Sequence, residues 1–386
     1  MEILCQRPFK VTRPSNFKKA INSLGCIGLS TAEGEQWKQE KKLVSSTLNR
    51  LHMRDYVPML TENAAALTQK WEVDAEGSPD NVVTVNQDLM HAIVDSVGKV
   101  ILDYLDGFGT NLRGGMASVG GIIDQFEQQR AVNPEWDHGA VKSKGFLGKL
   151  YEAMEKENSR ITHQRIVGNI LTTFVAGAEI NCMSLITALS ILASEKDLQS
   201  ELSDHIRDFD LEAATLEDYY TKAPLLKSFL HEVHRYHCTP FLALQVSSEI
   251  PFGETTLSKG TDVLIFARHI MLQKDTPAKG IPCGPDNAPP HLFSYRRYLV
   301  PVNEDSTSNK VEPKWQCVHP CNRGSAFLAF GHGARSCPGR HYSEVLSYAM
   351  LIKLLQTFEF ELAPTTHQLR LLRNPSWPLT KTFNSG

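Results

Sequence analysis

The sequence predicts a mainly α-helical protein with small β-sheets. The strongest observation is a stripe of apolar residues at spacings of three and four between residues 160 and 194, which indicates one helix of about 35 residues. Pro224 is placed to begin another helix, and an amphipathic helix is predicted from about residue 340 to residue 358. The strand-like segments are short, so we expect sheets with only a few residues per strand.

Composition indicates one globular domain. The chain has 386 residues, of which 41% are hydrophobic and 22% are charged, so it has enough apolar material for a large core. No Pro/Gly/Ser-rich linker separates two regions of different composition, and we predict a single domain over residues 1–386. The 40 basic and 43 acidic side chains give a formal charge of −3, which argues against nucleic acid as a partner.

Cysteine use and hydropathy bear on the compartment. The eight cysteines are scattered and no secretory signal precedes them, which favours free thiols in a reducing compartment. No uninterrupted run of about 18 apolar residues is present, so the sequence predicts no transmembrane segment.

The first elements follow from local patterns. A basic helix is predicted over residues 36–50, and its periodicity puts Trp37 and Lys41 on one face. Residues 107–121 are rich enough in glycine to form a loop ahead of the long helix.

The helix that begins at Pro224 places Glu232 and Arg235 on one face. Beyond it the pattern shortens to two strand-like pieces, residues 242–246 and 262–266. Little regular structure is expected over residues 277–320.

The clearest chemical signature lies in the decapeptide Phe330-Gly-His-Gly-Ala-Arg-Ser-Cys-Pro-Gly339. Its glycines permit a tight turn and let backbone N–H groups face a sulfur atom, while Cys337 offers a thiolate as a metal ligand. Arg335 is placed to pair with an anionic group, and Phe330 is placed to keep water from the sulfur. The alternative is a buried structural cysteine in a glycine-rich turn.

This decapeptide, followed by a helix, resembles the cysteine-ligand loop of the cytochrome P450 superfamily of haem-thiolate monooxygenases. The resemblance implies haem b as cofactor, Cys337 as the axial ligand of its iron, and Arg335 as a partner of a haem propionate, with Phe330 and Gly339 completing the loop. It implies the cytochrome P450 fold without its N-terminal anchor and first strands, because Trp37 arrives earlier than in family members. A naturally short enzyme, a partial gene model or a remnant would each fit this short N-terminal part.

Two further segments resemble the family in the same order along the chain. Glu232-Val-His-Arg235 resembles its Glu-x-x-Arg pair, and residues 293–299 resemble the segment whose arginine, here Arg297, joins that pair. The resemblance implies a buried charge network of Glu232, Arg235 and Arg297. Without it, such a pair on a helix is more often a solvated salt bridge. Tyr295 stands where the family usually has proline.

The long helix contains Ala176-Gly-Ala-Glu179-Ile-Asn181, which resembles the family's oxygen-activation segment. In that segment an acid that relays protons precedes a threonine; Glu179 matches the acid, and Ile180 replaces the threonine. Asn181, one position further on, is the candidate to replace the missing hydroxyl. In the alternative interpretation, Gly177 permits close packing and Glu179 pairs with a neighbouring helix.

Trp37-Lys-Gln-Glu-Lys41 resembles the Trp-x-x-x-Arg helix that contacts haem propionates, with lysine in place of arginine. Lys38, Lys42 and Arg50 give this region a basic character suited to an acidic electron donor, unless these charges are simply solvated. The resemblance implies NADPH–cytochrome P450 reductase or a similar donor as partner, so NADPH acts only indirectly.

The expected substrate is a small hydrophobic organic molecule. Residues 239–244 resemble the family segment that faces substrate, and with Phe174 and Ala178 they form a mostly apolar set. Residues 262–269 and the long segment after Arg297 resemble eukaryotic members, fungal ones in particular, which favours a role in secondary metabolism. A family member without a transmembrane segment is expected in the cytoplasm or peripherally on the endoplasmic reticulum.

Three functional classes stay open. The first is a monooxygenase that inserts one oxygen atom from O2, and Glu179 and the basic helix favour it. The second is a haem-thiolate isomerase or dehydratase that needs no O2, and Ile180 favours it. The third is a truncated, catalytically silent haem binder or haem-free remnant. A zinc site at Cys317-x-x-x-Cys321 with His319 is rejected, because no second pair of ligands follows at zinc spacing.

Overall fold

The structure is a computed structural model that describes residues 10–78, 81–83, 85–102, 121, 128, 145–158, 161–237, 241–273, 281–302, 315–320, 327–363 and 369–373. The predicted loop over residues 107–121, apart from Gly121, lies outside these ranges, as do Thr239, Pro240 and Cys321. Within them the prediction of a mainly α-helical protein with small sheets is confirmed.

The described helices are, in chain order, α1 Ser15–Ser23, α2 Gly34–Thr47, α3 Met53–Glu76, α4 Val85–Leu102, α5 Phe146–Lys156, α6 His163–Ser194, α7 Lys196–His205, α8 Leu216–Thr221, α9 Pro224–Tyr236, α10 Ala267–Leu272 and α11 Arg340–Thr357. The described strands are β1 Val11–Thr12, β2 Val82–Val83, β3 Phe241–Val246, β4 Ile250–Phe252, β5 Thr255–Leu257, β6 Asp262–Phe266, β7 Leu299–Pro301, β8 Trp315–Cys317, β9 Phe358–Leu362 and β10 Leu369–Arg373.

The helical core is organised around the long helix α6. Helix α4 packs along it, and α11 packs along α3 in the same core. The predicted helix and the observed one end at the same residue, Ser194, and the observed one starts after Thr162, whose backbone is extended. The apolar stripe therefore predicted α6 well, because most of its members meet neighbouring helices.

Helix α11 is not amphipathic, and this part of the prediction is wrong. Nearly every side chain between Tyr342 and Leu355 is buried, because α3, α6, α7, α9 and β9 surround the helix. Its polar residues Ser343, Glu344 and Ser347 are buried too, and they do not form a face toward water.

Helix α2 is fixed to α6 through the turn that precedes it. A Cβ atom on Gly168 would lie 2.1 Å from the carbonyl oxygen of Ile27, so only glycine lets the chain cross α6 this closely. Glu40 of α2 is buried, forms an ion pair with Arg165, and accepts a hydrogen bond from Asn169 Nδ2 at 3.2 Å. These contacts hold α2 against the face of α6 that borders the cavity described below.

The sheets are small and antiparallel. Strand β3 pairs along its length with β6, and β1 pairs with the other edge of β3. Strand β10 lies between β2 and β9, and β7 pairs with β8. Apart from β7 and β8, the described part of residues 277–320 contains no strand and no α-helix, which agrees with the prediction.

One helix in the described part of the chain, α6, is long and apolar enough to cross a membrane by length and composition alone. The sequence argument considered only uninterrupted apolar runs. Helix α6 contains small polar residues that interrupt such a run, yet its mean hydropathy is high enough for a membrane-spanning helix. The helix packs against α4, α9 and α11, and 39% of its most apolar 18-residue stretch is buried.

Candidate active site

A cavity of about 410 Å³ lies between α6, α2, α4 and the turn before α11. A pocket of this volume is in the range that proteins use for organic ligands and cofactors. Apolar side chains that line it include Val44, Leu48, Val97, Val100, Ile101, Ile180, Met183, Val233, Leu242 and Phe330.

The turn that carries Cys337 closes one side of this cavity. Gly331 and Gly333 have φ values of +70° and +69°, a conformation in which a side chain would be strained. The backbone N–H of Cys337 donates to the carbonyl oxygen of Phe330 at 2.8 Å, which folds the turn back on itself. Helix α11 begins at Arg340, three residues after the cysteine, so its positive N-terminal end lies near the sulfur.

The Cys337 sulfur is suited to bind a metal ion from the cavity. Its side chain is accessible, and Cys337 is one of the residues that line the cavity. Burial within the protein raises the pKa of the thiol, while the Gly339 N–H hydrogen bond and the charges of Lys41 and Arg340 oppose that rise. These donors and cations stabilise a thiolate, which is the form that ligates iron.

Phe330 and His234 pack beside the cysteine turn. Their rings meet edge to face with centroids 5.2 Å apart, and both residues line the cavity. The sequence interpretation did not include His234. Its Nδ1 atom is buried without a hydrogen-bond partner, and burial lowers the pKa of the ring to about 4, so His234 is neutral at pH 7.

Arg335 lies in the cavity wall and already has a carboxylate partner. Its guanidinium lies over the Trp37 ring, 4.7 Å from the centroid, and forms an ion pair with Glu33. It also donates to the carbonyl oxygen of Ala32 at 2.9 Å. Burial lowers its pKa, and Glu33 acts in the opposite direction.

Two more cations share this wall. Lys41 lines the cavity and donates to the carbonyl oxygen of Ser336 at 2.5 Å. Burial lowers the pKa of Lys41, and the negative charge of the Cys337 thiolate acts in the opposite direction. Arg13, which the sequence interpretation did not select, also lines the cavity, and its Nε atom is buried without a hydrogen-bond partner. Burial and the nearby charge of Arg335 lower the pKa of Arg13 to about 10.

These residues fit haem. The wall carries three cations, Arg13, Lys41 and Arg335. The Glu33 carboxylate pairs with Arg335, so positive charge remains for the anionic propionates, and the buried Nε–H group of Arg13 has no other partner. On the same cavity, the Cys337 sulfur accepts a hydrogen bond from Gly339, as an iron-bound thiolate does.

The proposed oxygen-activation residues are divided between the cavity and the surface. Ile180 lines the cavity and is 52% exposed, while Glu179 is exposed on α6 and is not among the described residues that line the cavity. Asn181 lines the cavity, but its side chain is held at both ends. Its Nδ2 atom donates to the carbonyl oxygen of Gly177 at 2.6 Å, and its Oδ1 atom accepts from Ser343 Oγ at 2.6 Å.

Ser184 is a further residue that the sequence interpretation missed. It lies on α6 one turn after Ile180, it lines the cavity, and its hydroxyl is buried without a hydrogen-bond partner. A helical spacing of four from Ile180 is the sequence signal that could have identified it.

Of the expected substrate-facing set, only part reaches the cavity. Leu242 lines it, whereas Phe174 and Ala178 are buried in the helical core and do not. The inclusion of those two residues was wrong, because the stripe to which they belong faces the neighbouring helices. Thr239 lies outside the described residues.

Glu232, Arg235 and Arg297 form a fully buried cluster. Arg235 makes two hydrogen bonds of 2.7 Å to the Glu232 carboxylate, and Arg297 Nε lies 3.0 and 3.1 Å from the same two oxygens. The remaining guanidinium N–H groups donate to backbone carbonyls, those of Met271, Pro290 and Leu292 from Arg235 and those of Pro282, Ala288, Pro289 and Leu292 from Arg297. The cluster therefore fixes the chain over residues 282–297 to α9.

The basic residues of α2 and its surroundings are paired with acids. Lys38 bonds Glu35 at 2.5 Å, Lys42 bonds Glu157, and Arg50 bonds Glu217 at 2.6 Å. The positive character of this surface is therefore partly offset within the chain itself.

Comparison with known proteins identifies the family. A family model described as Cytochrome P450 matches residues 104–276 and 287–382, more than half of the chain. The chain belongs to the cytochrome P450 family. Similar proteins include Cytochrome P450 CYP749A22 of Panax ginseng, 23% identical over 374 residues that cover 88% of this chain and 67% of the relative. Cytochrome P450 monooxygenase claU of Ampulloclitocybe clavipes is 22% identical over 407 residues, with coverages of 88% and 72%.

Solved cytochrome P450 structures share the fold. The crystal structure of a cytochrome P450 (CYP102L1) superposes with a TM-score of 0.72 at 18% identity, covering 97% of this chain and 87% of that one. Retinoic acid bound cyanobacterial CYP120A1 gives a TM-score of 0.73 at 17% identity with the same coverages. As a cytochrome P450 monooxygenase, the protein is an oxidoreductase that uses haem held by a cysteine thiolate, together with a hydrophobic substrate and a redox partner.

Proposed function

We propose that this cytochrome P450 inserts one oxygen atom from O2 into a small hydrophobic organic molecule, and that Cys337 is the residue that would hold the haem iron. The observation that carries the proposal is the cavity, which has the Cys337 sulfur on one side and Arg13, Lys41 and Arg335 on its wall. Its mostly aliphatic lining supports an apolar substrate, because a polar one would lose hydrogen bonds to water without replacement.

The roles of the chain's residues follow from their positions. Cys337 would hold the iron, and the Gly339 N–H group would stabilise the negative charge of the Cys337 sulfur. Arg13, Lys41 and Arg335 would neutralise the propionates, and the Trp37 ring packs against the guanidinium of Arg335. Bound haem supplies the activation of O2.

Proton delivery is assigned to hydroxyl and amide groups of α6. Glu179 is exposed, so in this proposal it exchanges protons with water at the entrance of the relay. The side chain of Asn181 is fixed at the cavity by its hydrogen bonds to Gly177 and Ser343. Ser184, one helical turn after Ile180, supplies a hydroxyl that has no other hydrogen-bond partner.

The wider setting is part of the same proposal. We assign the electron supply to NADPH–cytochrome P450 reductase or a similar donor, and the reaction to secondary metabolism. The eukaryotic style of residues 262–269 supports this setting, and so do the similar proteins from a plant and a fungus.

The carbon monoxide difference spectrum of the reduced protein tests the haem assignment. Wild-type protein is expected to give the red-shifted band of a thiolate ligand, and Cys337→Ala is expected to lose it. Cys182→Ala is the matched control, because Cys182 is a core cysteine that does not line the cavity. An unchanged spectrum in Cys337→Ala would rule out the assignment.

A haem-thiolate isomerase or dehydratase is the second candidate, because Ile180 offers no hydroxyl and Glu179 stands outside the cavity lining. Such an enzyme turns over without NADPH, reductase or O2. Product formation that persists when all three are withheld would replace the monooxygenase proposal by this one.

A further inference from the structure

A second cluster of ligand-type side chains lies outside the set of residues that line the cavity. It consists of His231 on α9, Glu344 on α11 and His319, which follows β8. One ligand atom from each residue lies within 4.8 Å of the other two. His319 Nε2 is 2.9 Å and His231 Nε2 is 3.8 Å from the same Glu344 oxygen, Oε1.

We propose that His231, His319 and Glu344 form a binding site for a divalent transition metal ion, with Zn²⁺ as the preferred occupant. Two imidazoles and one carboxylate are an established ligand set for this ion. Ligand bonds of about 2.0–2.2 Å in tetrahedral geometry separate ligand atoms by about 3.3 Å. The observed separations bracket that value, so small side-chain rotations would close the set around an ion.

Two unsatisfied atoms point to a ligand at this place. His231 Nε2 and Glu344 Oε2 are buried without a hydrogen-bond partner, in side chains that are 1% and 2% exposed. Unpaired buried polar atoms of this kind cost folding free energy, and a bound cation would satisfy both. A fourth position is left for water.

The protonation of His231 suits a metal ligand. Its Nδ1 atom lies 3.8 Å from the sulfur of Cys317, so a proton held there leaves the Nε2 lone pair facing Glu344. Burial lowers the pKa of His231 to about 4, which keeps the ring neutral and able to coordinate at pH 7. Burial alone would raise the pKa of Glu344, but the surrounding histidines, with His319 Nε2 at 2.9 Å, hold it well below its ordinary value, so the carboxylate is charged.

Positive charges around Glu344 limit the affinity for zinc, and they also allow a metal-free arrangement of the same residues. Arg340 Nε lies 3.9 Å from Glu344 Oε1, His341 Nδ1 lies 3.7 Å from Oε2, and Lys227 acts on His231 from nearby. Without an ion, these groups and His319 would serve as partners of the carboxylate. The two arrangements differ in whether the protein takes up zinc.

The sequence argument against zinc considered only Cys317, Cys321 and His319. It found no second pair of ligands, because the other ligands are supplied by α9 and α11, far away in sequence. An ion at this site would connect the segment after β8 to both helices, next to the Glu232 cluster.

Zinc uptake by the haem-loaded protein tests the proposal. After removal of loosely bound metal with EDTA, equilibrium dialysis against ZnCl2 followed by elemental analysis measures zinc and haem iron together. We expect one zinc per chain in addition to the haem iron. His319→Ala should bind zinc at least about tenfold more weakly with unchanged haem content, because it removes one of three protein ligands. His269→Ala, at an exposed position on α10, is the control and should bind as wild type does.

The ligands can be identified in the wild-type protein without any variant. X-ray absorption at the zinc edge should show only nitrogen and oxygen neighbours at about 2.0–2.2 Å, whereas a cysteine site would show sulfur at about 2.3 Å. Sulfur in the first shell, wild-type affinity in His319→Ala, or no zinc uptake at all would each overturn the proposal. None of these outcomes changes the carbon monoxide spectrum, so the test is independent of the proposed function.

Discussion

At the scale of single residues, the side chain at position 180 distinguishes the two candidate reactions. Ile180 lines the cavity, yet it has no hydroxyl to hold water or O2, and the neighbouring Asn181 is already tied to Gly177 and Ser343. A proton relay that depends on the remaining groups of α6 is expected to deliver protons inefficiently. Part of the reduced oxygen should then leave as peroxide.

Ile180→Thr is therefore expected to raise the ratio of product formed to NADPH consumed, measured with a competent reductase and the true substrate. The change places a hydroxyl in the cavity next to Glu179 and restores the acid–alcohol pair. Ile180→Val is the matched control, because valine has the shape of threonine without its hydroxyl. Equal ratios in the two variants would mean that space, and not the hydroxyl, limits the reaction.

At the scale of elements, the Glu232 cluster joins α9 to the irregular chain over residues 282–297. That chain contains no regular element that could hold it through backbone ladders. Its carbonyl groups instead accept hydrogen bonds from Arg235 and Arg297, whose charges are balanced in part by Glu232. The buried charged side chains therefore hold this segment in place, as backbone hydrogen bonds do in a helix or a sheet.

Arg235→Ala is expected to lower the free energy of unfolding by about 3–5 kcal/mol, because it leaves the Glu232 carboxylate buried with one partner fewer. Little haem-loaded protein should be recovered. Arg207→Ala is the control, because Arg207 pairs with Asp204 at the surface and its loss should cost no more than about 0.5 kcal/mol. Urea unfolding and the ratio of haem to protein measure both variants, and normal values for Arg235→Ala would contradict the structural role.

At the scale of the whole molecule, buried neutral histidines make stability depend on pH. Burial lowers the pKa values of His231 and His234 to about 4, whereas in the unfolded chain both rings have the ordinary value of about 6.5. Between these values the unfolded state takes up protons that the folded state does not. The free energy of unfolding therefore falls as the pH is lowered from about 6.5 to about 4. The Glu344 carboxylate, whose pKa is held well below its ordinary value, adds a loss of stability below about pH 4.5.

His234→Phe is expected to make this dependence shallower, because the phenyl ring keeps the packing against Phe330 and does not titrate. The full effect of one such histidine is at most about 3 kcal/mol across the window. Urea unfolding at a series of pH values between 4 and 8 measures it. His269→Phe, at an exposed position, should leave the dependence unchanged, and an equal slope in His234→Phe and wild type would contradict the prediction.

The sequence by itself determined the elements whose pattern is local. The helix ending at Ser194 follows from a repeated apolar spacing, and α9 begins at Pro224 because proline suits the first turn of a helix. The turn around Cys337 could be predicted too, because its glycines and cysteine lie within ten residues and each has a local role.

Only the tertiary structure decided what lies far apart in the chain. Arg13 and Glu33 meet Arg335 across about 300 residues, and His231, His319 and Glu344 come from three elements with no common spacing. Periodicity also could not show that Phe174 faces other helices while Ile180 faces the cavity, since both belong to one largely apolar helix. A side chain's direction on such a helix is set by the elements that pack around it, and their arrangement is a property of the whole fold.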